Sequence, residues 1–493
     1  MFASCKKVME NILNKCYSGK LPSYEITVKT LYNLQSNAEY LKSATANNSP
    51  GSGHHSLSYI KKYLFRSGIT LEMLNSLSVI HVAGTKGKGS TCAYTEAILR
   101  AHGFKTGFFS SPHLITPRER IRINGQPVDK DLFVQYFWKV YKKLNDRKEY
   151  EFDMPTYFRF LTILMFEIFL NEDIDVAIIE TGIGGLYDCT NIVRNPVCVG
   201  ITSLALEHTS LLGNTLEDIA YQKSGIFKPQ TAAFSVPQVS EAMQILQKRS
   251  VEENCTLNVV PPFHKYTWEN VSPILKVPNK VQQQNASLAI QMAIAWIKFK
   301  TNKCLTVSKD ADINVSMDKI AIGLSSYKWP GRMQILQSSV ADFFLDGAHT
   351  IESIENSISW FNEVSGKTGK RLLIFNTSGN RESEKLLLPL KSLRFCKAYF
   401  VPNYAGVNTV EDELNHVRKD EQKARCKDNS KIWGMNSIVA NNVLEVLQDI
   451  KTSAKQHDSI EVEKYQVLVT GSLHLIGAVL TVLDPNLTMT TKF

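Results

Sequence analysis

The chain has 493 residues, room for two to four domains of about 100 to 200 residues each, which excludes a short disulfide-stapled scaffold. Its 43% hydrophobic and 21% charged residues are those of an ordinary globular protein. Lys and Arg (56) exceed Asp and Glu (47) to give +9, a mild surplus spread along the chain that suits anionic small substrates better than a nucleic-acid groove.

At the N-terminus, MFASCKKVMENILNKCYSGKLP carries Lys6, Lys7, Lys15 and Lys20 against one acid, a mildly amphipathic pattern that permits a mitochondrial transit signal although arginine is absent. SATANNSPGSGHHS then breaks the chain, so residues 1–55 read as a leader helix and loop. VIHVAG predicts a strand leading into a helix from about Ser90 to His102. TGFFSSPH is a short strand and turn, PTYFRFLTILMFEIFL a buried helix, and DVAIIETG and PVCVGITSL are further strands. Apolar strands separated by helices predict a mostly parallel sheet covered on both faces, within a domain of residues 56–328.

ASLAIQMAIAWIKF, Ala286 to Phe299, is a helix, and YKWPGRMQIL reads as a connection. DFFLDGAH, RLLIFNT, CKAYFVPN and YQVLVTGS then give four more strands with helices between, a smaller α/β domain over residues 329–493. Inside it, EDELNHVRKDEQKARCKDNSK reads as a solvated helix and loop. Nine scattered cysteines without a C-x-x-C pair suggest neither a disulfide framework nor a zinc site, and a reducing compartment is expected. The apolar runs are too short, or carry Glu167, so no membrane span is expected.

Chemistry concentrates in IHVAGTKGKGST. Gly84, Gly87 and Gly89 let backbone N–H groups converge on a phosphate, the following helix adds its positive end, and Lys88 supplies a point charge. Gly89 separates Lys88 from Ser90, so the usual G-x-x-x-x-G-K-[ST] order is not met. Ser90 or Thr91 is left to cap the helix or face magnesium. Glu180 ends an apolar strand and is followed by Gly182, Gly184 and Gly185, a placement suited to holding magnesium beside phosphates. A dinucleotide fingerprint fails there because Tyr187 occupies the third glycine position. His208 follows a strand and Lys223 lies on the next helix; their spacing alone leaves metal, carbamylated and structural readings open.

The ordered set AGTKGKGS, SSPHLITPRERIRING, ETGIGGLYDCTN, ITSLALEHTSLLGNTLEDIAYQKSGIFK, WPGRMQIL, FLDGAHT and LIFNTSGNRE resembles folylpolyglutamate synthase of the Mur ligase superfamily, eukaryotic type, from about Tyr59 to Gly477. The resemblance implies a P-loop ATPase domain and a Rossmann-like C-terminal domain. It implies an enzyme that joins L-glutamate in γ-linkage to tetrahydrofolate and its polyglutamates through an acyl phosphate.

It further implies ATP contacts from Thr85, Lys86, Gly87, Lys88, Gly89, Ser90, Asn285, Arg332 and Asp346, with His349 near the reacting groups. A first magnesium would lie on Ser111 and Glu180, a second on His208, and Lys223 stands where the family carries a carbamylated lysine. Thr156, Tyr157, Phe158, Arg159 and Tyr187 would line the folate. A monovalent cation such as potassium, a monomeric state, and a cytoplasmic or mitochondrial-matrix location complete the expectation.

Two departures stand out: Thr350 replaces the asparagine of D-G-A-H-N, and Leu186 replaces a common bacterial arginine, which weighs against a dihydropteroate mode. A dihydrofolate or bifunctional synthase remains the alternative within this chemistry. A nucleotide switch would need N-K-x-D, and the chain offers only NKVQ and NKCL. An inactive relative is disfavoured, because all the charged motif positions are present.

Overall fold

The structure, a computed structural model, describes residues 21–34, 54–150, 153–275, 279–305, 315–366, 369–379, 381–415, 419–455 and 464–493. The expected transit signal and most of the serine- and asparagine-rich break lie outside the described residues. The chain forms two compact units, Met1–Pro112 with Pro117–Tyr327, and His113–Thr116 with Lys328–Phe493.

In the first unit the strands are β1 (Val79–Ala83), β2 (Thr106–Phe109), β3 (Ile121–Ile123), β4 (Gln126–Pro127), β5 (Val176–Glu180), β6 (Cys198–Ile201), β7 (Ala232–Ser235) and β8 (Thr256–Val259). They form one sheet in the order β4-β3-β2-β5-β1-β6-β7-β8, parallel except for β3 and β4 at one edge. Every residue of β1, β5 and β6 is buried, as continuous apolar strands covered on both faces must be. Register decides what meets at their ends. Val82 pairs with Glu180 and Ala83 with Ile201, so the chain leaves all three neighbouring strands at one level, with β1 in the centre. β1 is also where the strand order switches direction, the usual place for a ligand crevice in an open α/β sheet.

The helices fit the same logic. Lys88–Ala101 begins two residues before the expected Ser90, because Gly87 already takes the left-handed N-cap conformation at φ 91°. Tyr157–Asn171 is apolar on nearly every side, and its one acid, Glu167, pairs with Lys139 at 2.6 Å. Each large apolar side chain it buries contributes roughly 2 kcal/mol, and Phe160→Ala would cost about 3 to 5 kcal/mol. Tyr24–Asn33 docks on this core through Leu31 and through Trp138, whose indole N–H donates to Thr27 Oγ1 at 2.9 Å. Lys280–Leu305 runs further than the expected Ala286–Phe299 and packs against Lys88–Ala101.

The second unit contains β9 (Gln334–Gln337), β10 (Ala341–Leu345), β11 (Arg371–Phe375), β12 (Lys397–Phe400), β13 (Ser437–Val439) and β14 (Tyr465–Thr470), ordered β13-β12-β11-β14-β10-β9. Only β9 runs antiparallel, against β10. The expected connection YKWPGRMQIL therefore ends as a strand. The charged run is corrected more substantially. Its helices Val410–Asn415 and Lys419–Trp433 bury Asp412, Cys426 and Asn429. The Asp412 carboxylate accepts from the backbone N–H groups of Ala405, Gly406 and Val407 at 2.7 to 3.0 Å, so it closes a loop and is no solvated charge. Among the described residues, no helix is long and apolar enough to cross a membrane.

Candidate active site

The loop after β1 is held by contacts that only its residues allow. A Cβ on Gly84 would lie 1.8 Å from Thr202 Oγ1, and one on Gly87 would lie 2.3 Å from Asn285 Oδ1, so neither position admits a side chain. Thr85 is anchored, not open. Its N–H and that of Lys86 both donate to Ser203 O, and its hydroxyl exchanges hydrogen bonds with both backbone groups of Ala205. The N–H groups of Thr85 and Lys86 are therefore committed to Ser203 O, which leaves the Lys86 side chain for the ATP contact that the motif implies. The first helical bond runs from Thr91 N–H to Gly87 O at 2.8 Å. The N–H groups of Lys88, Gly89 and Ser90, which open the helix before that bond, therefore lack an intrahelical acceptor and are the groups that could cradle an anion.

Two lysines converge here. Lys88 Nζ donates to Gly84 O at 2.9 Å and to Thr85 O at 3.3 Å, and Lys223 Nζ donates to the same Gly84 O at 2.7 Å. Burial, then the Lys88 charge, bring Lys223 down to about 7, against the pull of Glu207 and Asp188 in the other direction. One ammonium, Lys88, and a largely discharged amine, Lys223, thus share one carbonyl at the mouth of a glycine loop, where the Lys88 charge can receive an anion.

Glu180 Oε2 accepts from the Ser111 backbone N–H at 3.1 Å, so the two residues are neighbours. The Thr91 hydroxyl is buried with no hydrogen-bond partner. Among the described residues, no three His, Cys, Asp or Glu side chains gather into a metal cage. A magnesium ion would therefore take Glu180, a hydroxyl and phosphate oxygens, the hard-oxygen set that this ion prefers. His208 sits at φ 52° ahead of the Thr209–Leu212 turn and is exposed, outside any such cage.

The loop after β5 is positioned by residues that the sequence did not single out. Asp188 Oδ2 accepts from Gly182 and Ile183 N–H, its Oδ1 accepts from Thr190, and Thr190 Oγ1 lies 2.8 Å from His81 Nε2 on β1. Burial raises Asp188 and brings His81 down to about 3, so the imidazole is neutral at working pH. Asn191 Nδ2 donates to Leu186 O and Gly225 O, tying this loop to the end of the Lys223 helix.

The expected folate residues divide. Phe158 packs against Gly182, where a Cβ would meet its ring at 2.6 Å. Arg159 lies over the Tyr59 ring at 5.4 Å and reaches Cys189. Thr156 starts the helix, and Tyr187 is half-buried in the facing loop. Tyr157 does not share that face. It is buried against Tyr32 and under the Arg120 guanidinium, a packing position, because consecutive helical residues point about 100° apart. In the second unit Asp346, Arg332 and His349 lie together. Asp346 Oδ1 accepts from Met333 N–H at 3.3 Å. Burial raises its carboxyl, and the neighbouring Arg332 and His349 offset this. Thr350 caps the Ile351–Val364 helix through a reciprocal pair with Ser353, so the hydroxyl serves where asparagine would. Asn285 belongs to the first-unit site through Gly87.

No protein-family profile matches the chain. It is 37% identical to a protein of Cricetulus griseus named "Folylpolyglutamate synthase, mitochondrial", over 94% of this chain and 92% of that one. The Homo sapiens protein of the same name is 36% identical over the same shares. Among solved structures, E. coli FolC in complex with DHPP and ADP matches with a TM-score of 0.68 at 24% identity, over 94% of this chain and 98% of that one, a likeness of fold.

Proposed function

The chain belongs to the folylpolyglutamate synthase family, and from that premise we propose that it joins L-glutamate in γ-linkage to tetrahydrofolate and its polyglutamates with ATP. The Lys88 ammonium, seated on Gly84 O at the mouth of the glycine loop, carries this reading, because the reaction must gather several anions in one place. A carboxylate is a poor electrophile. One of its oxygens attacks the γ-phosphorus, ADP leaves, and the glutamate amine attacks the acyl carbon of the mixed anhydride; phosphate departs with the former carboxylate oxygen. Lys88 and the N–H groups of Lys88, Gly89 and Ser90 would bind the transferred phosphoryl group and steady its charge.

Magnesium, when bound, would neutralise phosphate charge; Glu180 and Ser111 would hold it. A second magnesium on His208, a monovalent cation such as potassium, and carbamylation of Lys223 belong to the same proposal. Support for the last is an amine near pKa 7, which is neutral enough to take up carbon dioxide. For the acceptor, Phe158 and Tyr187 would offer aromatic surface and Arg159 a cation for glutamate carboxylates, with Thr156 at the rim. The ATP contacts assigned to Asn285, Arg332 and Asp346, and the role of His349, rest on the motif resemblance. The domain division at residues 56–328 and 329–493, a monomeric state, and residence in mitochondria and cytosol complete the reading. The mitochondrial part is supported by the names of the relatives.

The test incubates the full chain with ATP, magnesium, labelled glutamate and either tetrahydrofolate or dihydropteroate, and resolves product lengths. A ladder from tetrahydrofolate alone is the expected result. Product from dihydropteroate would move the assignment to a bifunctional synthase, and no product from either would reject the reading.

A further inference from the structure

Outside the catalytic loops, a dense set of charged and polar contacts in the first unit joins the helix His54–Ser67 to the segment that enters Tyr157–Asn171. The Asp153 side chain is 1% exposed. Its Oδ2 lies 2.6 Å from Arg66 Nη1 and 3.4 Å from Lys62 Nζ and accepts from Glu149 N–H at 3.1 Å, while Oδ1 accepts from Tyr63 Oη at 3.1 Å. Glu149 closes the ring through Lys62 at 2.9 Å and the second Arg66 nitrogen. Arg66 is itself held from behind, its backbone carbonyl accepting from Arg147 at 2.8 Å. Burial alone would raise the Asp153 carboxyl, yet the Arg66, Glu149 and Tyr63 hydrogen bonds outweigh it and hold the group at about 2. It is therefore ionised throughout the working range.

Position gives this cluster its meaning. Asp153 lies three residues before Thr156, the N-cap of the helix whose first turn carries Phe158 and Arg159. Lys62, Tyr63 and Arg66 grip Asp153 from one face of His54–Ser67. One turn earlier on the same helix, Tyr59 lies under the Arg159 guanidinium, which also reaches Cys189 in the loop after β5. One helix thus holds both ends of the segment 153–159 and sets its distance from the Gly182–Cys189 loop.

We propose that Asp153 and Arg66 are positioning residues for the folate acceptor, a buried clamp that fixes the Thr156–Arg159 turn against the loop after β5. This rests on the reading of Thr156, Phe158 and Arg159 as acceptor-binding residues. Asp153→Asn keeps the side-chain shape, but it removes the charge that pairs with Arg66 and Lys62 and turns one accepting oxygen into a donor. The turn loosens while the phosphate loop is untouched.

In steady-state assays of the full chain, Asp153→Asn is expected to raise the tetrahydrofolate KM about tenfold, with the KM values for ATP and glutamate, and kcat, within about twofold. Arg66→Met should do the same and Arg66→Lys should recover much of the loss, which a purely structural role would not single out. Unchanged KM values, or an equal rise for all three substrates, overturn the proposal. Should Asp153→Asn fail to fold, Tyr63→Phe removes one hydroxyl and keeps the ring: an acceptor KM about threefold higher supports the clamp, and an unchanged one overturns it. Phe158→Ala separates the two readings. If it leaves the acceptor KM unchanged, the folate assignment fails; if it raises that KM while the clamp variants do not, the clamp alone fails.

Discussion

Gly87→Ala places the sharpest demand on the phosphate loop. Gly87 sits at φ 91°, where an L side chain costs roughly 1 to 2 kcal/mol. The added methyl would lie 2.3 Å from Asn285 Oδ1 and 3.0 Å from its Cγ. Asn285 is buried and donates to Gln282 Oε1 at 3.2 Å, so moving it sacrifices a hydrogen bond of about 1 kcal/mol. Together these give about 2 to 3 kcal/mol, a melting shift of roughly 3 to 4 °C for a unit of this size. Because the same backbone presents the Lys88, Gly89 and Ser90 amides, the ATP KM should rise at least tenfold. Asn285→Ala removes the clash but not the φ penalty. The double variant should therefore be more stable than the sum of the single changes implies by about 1 kcal/mol, measured by thermal unfolding of all four forms. Additive effects, or a Gly87→Ala protein with wild-type melting and ATP KM, would refute the packing argument.

Glu180→Gln should lower kcat on the order of a hundredfold, about 3 kcal/mol of barrier, with part of the loss recovered at high magnesium; full activity at ordinary magnesium would remove Glu180 as a ligand. For Lys223, the folded state prefers the neutral amine. Its contribution to stability is full above the ordinary lysine value of 10.5 and declines as pH falls to about 7. With 13C-labelled bicarbonate, a carbamate resonance should grow as pH rises through 7 and vanish in Lys223→Arg, and no resonance at alkaline pH would count against the modification. Asp412→Ala strands three backbone N–H groups and should cost about 3 kcal/mol in thermal unfolding, whereas a solvated-charge role would leave melting unchanged.

The sequence made the central strands legible because β1 and β5 are long apolar runs closed by glycines, and the periodicity of Lys88–Ala101 and Tyr157–Asn171 is strong. β3, β4, β7, β8 and β13 have only two to four residues, too few for a period to show. Charge hid the burial of Asp412, since a carboxylate saturated by three amides looks like any other acid in a charged run. Within the site, the lysines, Glu180 and Ser111 were readable as motif positions. The His81–Thr190–Asp188 chain and the Arg66–Asp153 clamp were not, because their partners lie about 90 to 110 residues apart and no local pattern joins them. Tyr157 adjoins the other folate candidates in the motif, but helical geometry turns its side chain inward, a direction that motif adjacency does not carry.

The central claim is that ATP activates a folate carboxylate as an acyl phosphate at the Gly84–Ser90 loop. It is tested most directly by isotope transfer. Tetrahydrofolate carrying 18O in its γ-carboxylate, turned over with ATP, magnesium and glutamate, should deliver one 18O atom to each inorganic phosphate released, and Lys88→Ala should abolish that transfer while keeping the wild-type fold. Phosphate without 18O during amide formation would contradict the account.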